Sequence, residues 1–200
     1  MLRLDMEQGS ESWFQAKLGI PSSSNFDKIL TPATGKPSAS AKNYMYRLAG
    51  ERITGVPSET YQNATMQRAI ELESEARSAF EFMEDQTVEL VGVCYPDEQR
   101  RYCCSPDGLL ADGTGLEIKC PILHTHVGYL MSGTLPRDYI TQVQGSMLVT
   151  GASFWHFMSY YPGLTSLIIK VPRDVEYLIK LKVALDMFCA ELDKTVEKLR

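Results

Sequence analysis

The sequence predicts an α/β fold with a central mixed β-sheet flanked by helices, and three observations predict it. Helical patterns fill the first eighty residues, β-branched and aromatic runs follow, and helices then alternate with two further such runs before a last amphipathic stretch, giving the order αααα-βββ-αα-ββ-α. Asp112-Gly113 suits a tight hairpin turn between the apolar Leu109-Leu110 and Leu116, so two short strands should meet there. With 200 residues and 44% hydrophobic content the chain can bury one well-packed core and is short for two, which predicts one domain over residues 1–200.

Taken in order, Ser10 to Leu30 reads as two short helices broken at Gly19-Ile20-Pro21, with Ser22 or Ser23 able to cap the second. Thr31 to Ala39 is rich in Pro, Gly and Thr and reads as a loop that could touch a ligand. A helix from Ser40 to Thr54 ends at Gly55-Val56-Pro57, and a longer one runs from Asn63 to Met83. Strands are expected at Thr87–Tyr95, Arg100–Ser105 and Leu116–Cys120, helices at Thr125–Met131 and Asp138–Thr150, and strands at Ser153–Tyr161 and Ser166–Val171. From Arg173 to Leu199, apolar residues recur at helical spacing, as expected of a structural helix packed on the sheet.

Bulk properties exclude several classes. No run of eighteen apolar residues and no basic-then-apolar leader occurs, which predicts neither a membrane span nor secretion and places the protein in the cytoplasm. Five cysteines without a CxxC pair read as free thiols in a reducing compartment rather than a zinc or iron-sulfur site. A net charge of -5 argues against coating nucleic acid by bulk electrostatics. A nucleic-acid enzyme of this balance must gather its cations in one groove, the candidates being Lys17, Lys42, Arg47, Arg52, Arg68, Arg100, Arg101 and Arg137.

The chemistry concentrates in Ser105-Pro106-Asp107-Gly108 and Gly115-Leu116-Glu117-Ile118-Lys119-Cys120. Side chains alternate along a strand, so Glu117 and Lys119 share one face while Leu116, Ile118 and Cys120 face the core. Asp107 can converge with Glu117 across the hairpin, and two carboxylates at one point suit a hard cation such as Mg²⁺, which keeps waters and a phosphate oxygen. Lys119 beside them could orient or deprotonate the attacking water or meet the phosphate charge. Read without chemistry, Asp107 is part of an ordinary Pro-Asp-Gly turn, and Glu117 and Lys119 are the solvated face of an edge hairpin.

Helical phase singles out two more residues. In the Asn63–Met83 helix, Ala69, Leu72, Ala76, Phe80 and Met83 form an apolar stripe with Glu73 at its margin, where a carboxylate needs a partner such as Arg77 or a metal. In the Asp138–Thr150 helix, Gln144 falls among Ile140, Val143 and Met147, whereas Gln142 points away. A buried amide needs hydrogen-bond partners, whether backbone or a water or phosphate in a site.

Together, Trp13 to Gly19 with Ser24, Glu71-Leu72-Glu73 to Arg77, Cys104 to Gly108, Gly115 to Pro121, and Gln142-Val143-Gln144 to Met147 resemble, in order and spacing, the lambda-type alkaline exonucleases. These are the YqaJ-like viral recombinases of the PD-(D/E)xK (restriction-endonuclease-like) nuclease superfamily. The resemblance implies that Asp107, Glu117 and the backbone carbonyl of Ile118 hold Mg²⁺, with Mn²⁺ a possible substitute and Glu73 a further acidic ligand. It implies that Lys119 and Gln144 position the attacking water, and that Lys17, Ser24 and Ser105 bind a 5′-terminal phosphate. Lambda-type members look to have arginine at the position of Lys17, which offers a point charge rather than a planar fork.

The expected activity is a Mg²⁺-dependent 5′ to 3′ exonuclease that degrades one strand of linear double-stranded DNA to 5′-mononucleotides and leaves a 3′ overhang. The resemblance further implies a ring-shaped homotrimer, a single-strand annealing protein as partner, and a phage or prophage origin in a bacterial host. Two rivals differ from it: an endonuclease of the same superfamily, and a non-catalytic DNA-end clamp.

Overall fold

The computed structural model describes residues 1–32, 34–58 and 64–200, the side chains of 64–66 excepted. Ala33 of the expected loop and Asn63 of the expected helix start lie outside these residues. The chain opens with a strand the sequence gives no sign of, β1 (Leu2–Leu4), too short for alternation to register. Helix α1 (Glu11–Lys17) starts where the Ser10 hydroxyl accepts the Trp13 N–H, and a 3₁₀ turn follows over Ser23–Lys28. Helix α2 (Ala41–Thr54) stops at Gly55, whose φ of 70° closes the last turn, and α3 covers Ala64–Glu84.

The expected Thr87–Tyr95 strand divides into β2 (Val88–Glu89) and β3 (Val93–Tyr95), which belong to different sheets. Between them Gly92 passes so close to Met6 that a Cβ would lie 2.3 Å from its side chain. Arg100–Ser105 is not a strand. Cys103 bridges Ser22 and Cys104 bridges Cys94, so neighbouring residues pair with different partners and no ladder forms. The remaining elements are β4 (Gly108–Leu110), β5 (Gly115–Lys119), α4 (Leu123–Ser132), α5 (Arg137–Thr150), β6 (Phe154–Ser159), β7 (Leu167–Pro172) and α6 (Val175–Leu199).

Strands β2-β4-β5-β6-β7 form one sheet, antiparallel except where β5 lies parallel to β6, while β1 and β3 pair separately. The sheet is therefore mixed and α-helices cover both faces. Leu116, Ile118 and Cys120 pack with Met158 and Tyr160 against Ala76 and Phe80 of α3. Trp155 and Phe157 pack on the other face with Val143 and Met147 of α5 and Leu178, Leu181, Leu185 and Leu192 of α6. The apolar stripe of α3 ends at Phe80, since Met83 is 49% exposed.

Helix α5 departs from its predicted phase. Thr141, Val143, Gln144, Gly145, Ser146, Met147 and Val149 are all buried, whereas Ile140 is only half-buried. The 3₁₀ turn presses on Gly145, where a Cβ would lie 2.5 Å from the Phe26 ring, so α5 is enclosed on several sides and has no single inward direction. Gln144 spends its amide on backbone: Nε2 donates to the Pro172 carbonyl at 2.9 Å, and Oε1 accepts the Asp174 N–H at 2.9 Å. It ties the end of β7 to the start of α6, which corrects the expectation that it orients a water in the site.

Gln144→Ala would leave the Asp174 N–H without its partner, and is expected to lower the unfolding free energy by about 1–3 kcal/mol. Urea denaturation measures this, and a loss under about 0.5 kcal/mol would contradict the structural role.

Candidate active site

The β4–β5 hairpin assembles the site. Asp107 stands just before β4, where its N–H donates to the Leu116 carbonyl at 3.1 Å and its Oδ2 accepts the Ile118 N–H at 2.6 Å. These two bonds fasten Asp107 to the middle of β5, beside Glu117. Strand alternation then turns Glu117 and Lys119 away from the face that packs on α3, toward α5. This face is not the solvated side of an edge hairpin, for Glu117 is only 2% exposed and β5 is the central strand of the sheet.

Glu117 Oε1 lies 2.5 Å from Lys119 Nζ and accepts the Gln142 side-chain amide at 2.5 Å. Lys119 Nζ also lies 5.1 Å from the centre of the Tyr139 ring. Gln142, which simple helical phase points away, thus reaches the carboxylate. No sequence signal separates it from Gln144, because burial around most of α5 removes the contrast between faces. On α3, Glu73 Oε1 pairs with Arg77 Nη2 at 2.6 Å, the i to i+4 partner expected, and Arg77 Nε donates to the Asp107 carbonyl at 3.2 Å. Arg77 therefore brings Glu73 to the hairpin.

Electrostatics mark the site as short of positive charge. Burial pushes the Asp107 carboxyl well above its ordinary value, and the nearby charges of Glu117 and Glu73 push it further against the opposing pull of Lys119. Burial likewise raises Glu73 against the pull of Arg77. For Lys119, burial lowers the affinity for a proton, but Glu117 and Asp107 together outweigh it and hold the ammonium charged.

The donor set fits a hard divalent cation. Among the described residues, Asp107 Oδ1 and Glu117 Oε2 receive no hydrogen bond, which leaves two carboxylate oxygens from adjoining elements. Among those residues no group of three or more His, Cys, Asp or Glu side chains is assembled to hold a metal. Mg²⁺ does not need one, since it binds through one or two carboxylates and completes its shell with water and substrate phosphate.

The site opens into a cleft of about 1130 Å³ lined by Glu73, Arg77 and Asp107 and also by Lys17, Ser24, Asn25, Lys28 and Arg47. Lys17 Nζ lies 3.7 Å from the centre of the Trp13 ring, and burial lowers its proton affinity. The Trp13 indole N–H is shared between the Gly92 carbonyl and Ser105 Oγ, each at 3.1 Å. Lys17 and Ser105 therefore gather around Trp13. Ser24 joins another group, within hydrogen-bond reach of Ser22 and Asn25, and Ser105 does not line the cleft.

Of the eight candidate cations, Lys17 and Arg47 line the cleft. Arg52 and Arg101 pair instead with Asp193 on α6, and Arg68 lies over Tyr161. Lys28 lines the cleft without having been singled out, because it breaks no pattern in the sequence, and Arg77, expected only as the partner of Glu73, lines it too.

The carboxylate cluster sets a pH dependence. An acid whose folded-state pKa is raised binds more protons folded than unfolded, so its contribution falls as pH rises from the ordinary carboxylate value toward the raised one. Without divalent cations the protein should lose stability over that range. Asp107→Asn should remove much of the loss and raise the melting temperature near neutral pH by about 2–5 °C. Thermal melts in EDTA test this, and a variant melting below the parent at neutral pH would contradict it.

A family model described as the YqaJ-like viral recombinase domain matches residues 12–153. No curated protein sequence matches the chain. Among solved structures, it is similar to the alkaline exonuclease LHK-Exo from Laribacter hongkongensis, 33% identical with a TM-score of 0.86 over 95% of this chain and 96% of that one. That enzyme is also known in complex with dAMP, with the same extent of similarity. A phage-related exonuclease from Haemophilus somnus 129PT shares the fold at 14% identity, with a TM-score of 0.71 over 90% of this chain and 96% of that one. With the family model spanning most of the chain and the similarity to LHK-Exo nearly all of it, the protein belongs to the YqaJ-like viral recombinase family and is of the lambda-type alkaline exonuclease kind.

Proposed function

We propose that the protein is a Mg²⁺-dependent 5′ to 3′ exonuclease of linear double-stranded DNA, releasing 5′-mononucleotides and leaving a 3′ single strand, with Mn²⁺ able to replace Mg²⁺. The observation that carries this reading is the gathering of Asp107, Glu117, Lys119 and Gln142 on one hairpin and the helix beside it, at the end of a cleft that also holds Glu73. Family membership and the similarity to an alkaline exonuclease support it.

Asp107, Glu117 and the Ile118 carbonyl would hold the cation, with Glu73 alongside. The cation would offset charge on the scissile phosphate and activate water for in-line attack. Gln142 and Lys119 both hold Glu117 through Oε1, which orients the carboxylate. The Lys119 ammonium also opposes the negative charge that grows on the phosphate. Lys17 brings positive charge to the cleft beside Asp107, where a 5′-terminal phosphate would enter with Ser24 and Ser105 nearby.

The chain works as one nuclease domain over residues 1–200, assembled in a ring-shaped homotrimer, in the cytoplasm of a bacterial host. Its partner is a single-strand annealing protein that takes up the 3′ strand. An acidic chain that brings Lys17, Lys28, Arg47 and Arg77 to its cleft is compatible with such a ring, since only the DNA-facing lining need carry positive groups.

Digestion of linear duplex carrying a 5′-phosphate or 5′-hydroxyl at a labelled end, beside a covalently closed circle, tests the reading. Loss of the phosphorylated strand from its 5′ end, dependent on Mg²⁺ and abolished by EDTA, is the expected result. Cutting of the circle would replace it with an endonuclease, and no cutting with an end-binding clamp. Asp107→Ala and Lys119→Ala should each lower the rate at least about 100- to 1000-fold. Gln142→Ala should lower kcat far more than Gln144→Ala does at a temperature where both variants are folded, and the reverse order would overturn the assignment of the two glutamines.

A further inference from the structure

The three carboxylates beside the hairpin share one arrangement. Asp107 has Oδ2 bound to the Ile118 N–H, and Glu117 has Oε1 held by Gln142 and Lys119. Glu73 repeats the pattern from α3, with Oε1 held by Arg77 Nη2 at 2.6 Å. Each carboxylate spends one oxygen on a protein donor, and among the described residues the second oxygen of each receives no hydrogen bond. A metal-ligating oxygen is oriented by what fixes the rest of its side chain.

Asp107 and Glu117 have several supports. The Asp107 N–H donates to the Leu116 carbonyl at 3.1 Å, and Gln8 Nε2 grips the preceding carbonyl, that of Pro106, at 2.7 Å while also donating to the Val91 carbonyl at 2.9 Å. Glu117 is enclosed in the middle of the sheet and meets two donors. Glu73 has neither advantage. Its side chain is 35% exposed, and among the described residues Arg77 is the one donor that meets its carboxylate. It nonetheless lies near enough to Glu117 and Lys119 to feel the charge of both.

Arg77 is set deeper than its partner, at 16% exposed. An ordinary i to i+4 pair joins two solvated side chains and holds neither firmly in place. Arg77 instead spans two elements. While Nη2 holds Glu73, Nε donates to the Asp107 carbonyl at 3.2 Å, so one planar guanidinium sets the reach from α3 to the hairpin. A lysine offers a point charge on a flexible stem and no such fork.

We propose that Arg77 is a positioning residue for the divalent cation, holding Glu73 by one oxygen so that the other is presented to the ion bound by Asp107 and Glu117. The assignment rests on the cation-binding reading given above and adds how the third carboxylate is brought to it. Two opposite effects meet at Arg77. Its charge repels a cation, which removal would relieve, and its fork orients Glu73, which removal would undo. Partners that orient metal ligands are commonly worth about 10- to 100-fold in metal affinity, so orientation outweighs repulsion.

The test is binding of Mn²⁺ alone, followed by the paramagnetic resonance of the free ion with no DNA present. The wild-type protein should bind Mn²⁺, and Arg77→Gln should bind it about 10- to 100-fold more weakly although a positive charge has been removed. Arg77→Lys should fall between. In a Glu73→Gln background Arg77→Gln should cost less than about 3-fold, because no carboxylate remains for the fork to hold. Thermal melts in EDTA establish that each variant is folded at the temperature of the titration.

Equal or tighter binding by Arg77→Gln would overturn the proposal and leave Arg77 a fastening between α3 and the hairpin. So would a loss of the same size in both backgrounds, since Arg77 would then act other than through Glu73. A wild-type protein that binds no Mn²⁺ would remove the cation site itself, and the role of Arg77 with it. Because the ion is read without turnover, these outcomes are separate from those of the digestion assay.

Discussion

The bond from the Ile118 N–H to the Asp107 carboxylate is the contact on which the rest of the site depends. It brings a residue outside the strand ladder onto the middle of β5, beside a second carboxylate. Like charges this close oppose folding, and burial makes the opposition stronger. The surrounding structure answers with positive groups and donors. Lys119 and Gln142 hold Glu117, and Arg77 joins Glu73 on α3 to the Asp107 carbonyl. The arrangement stores a demand for positive charge that a divalent cation and its ligands would meet, the usual conflict between stability and activity at such centres.

The scaffold holds this demand because both faces of the sheet are covered. Leu116, Ile118 and Cys120 anchor β5 in one apolar layer, and Trp155 and Phe157 of the neighbouring strand β6 lie in the other. Glu117 is thereby kept out of water in a fixed orientation. Enclosure also explains the exchange of roles between the two glutamines of α5. With nearly every side of the helix in contact with something, a buried amide was certain to find partners. Whether those were backbone or carboxylate was decided by what lay opposite, the β7–α6 junction for Gln144 and β5 for Gln142.

The cleft reconciles an acidic chain with an anionic ligand. Net charge describes the whole surface, whereas the wall of the cleft is lined by as many cations as carboxylates, Lys17, Lys28, Arg47 and Arg77 beside Glu7, Glu51, Glu73 and Asp107. Lys17, Lys28 and Arg47 line that wall, while Arg52 and Arg101 are used to bind α6 through Asp193. Cations that look alike along the chain therefore divide into a cleft-lining set and a set paired with α6.

What the sequence determined by itself was whatever depends on neighbours along the chain. The Asp112-Gly113 turn, the alternation of Glu117 and Lys119 against Leu116 and Ile118, and the i to i+4 pairing of Glu73 with Arg77 are local consequences of strand and helix geometry, and each is present. The order of the helices and of the strands from β4 onward was legible for the same reason, and the expected mixed sheet is present. Only tertiary structure decided which segments found partners in a ladder. Arg100–Ser105 reads as a strand but its adjacent Cys103 and Cys104 meet different neighbours, and Leu2–Leu4 has almost no pattern yet pairs with β3. Only tertiary structure placed Gln142 on Glu117 and brought Lys28 and Arg47 to one ring. Those contacts join residues far apart in the chain, and periodicity, which reports one element against a single partner, carries no information about a side chain enclosed on several sides.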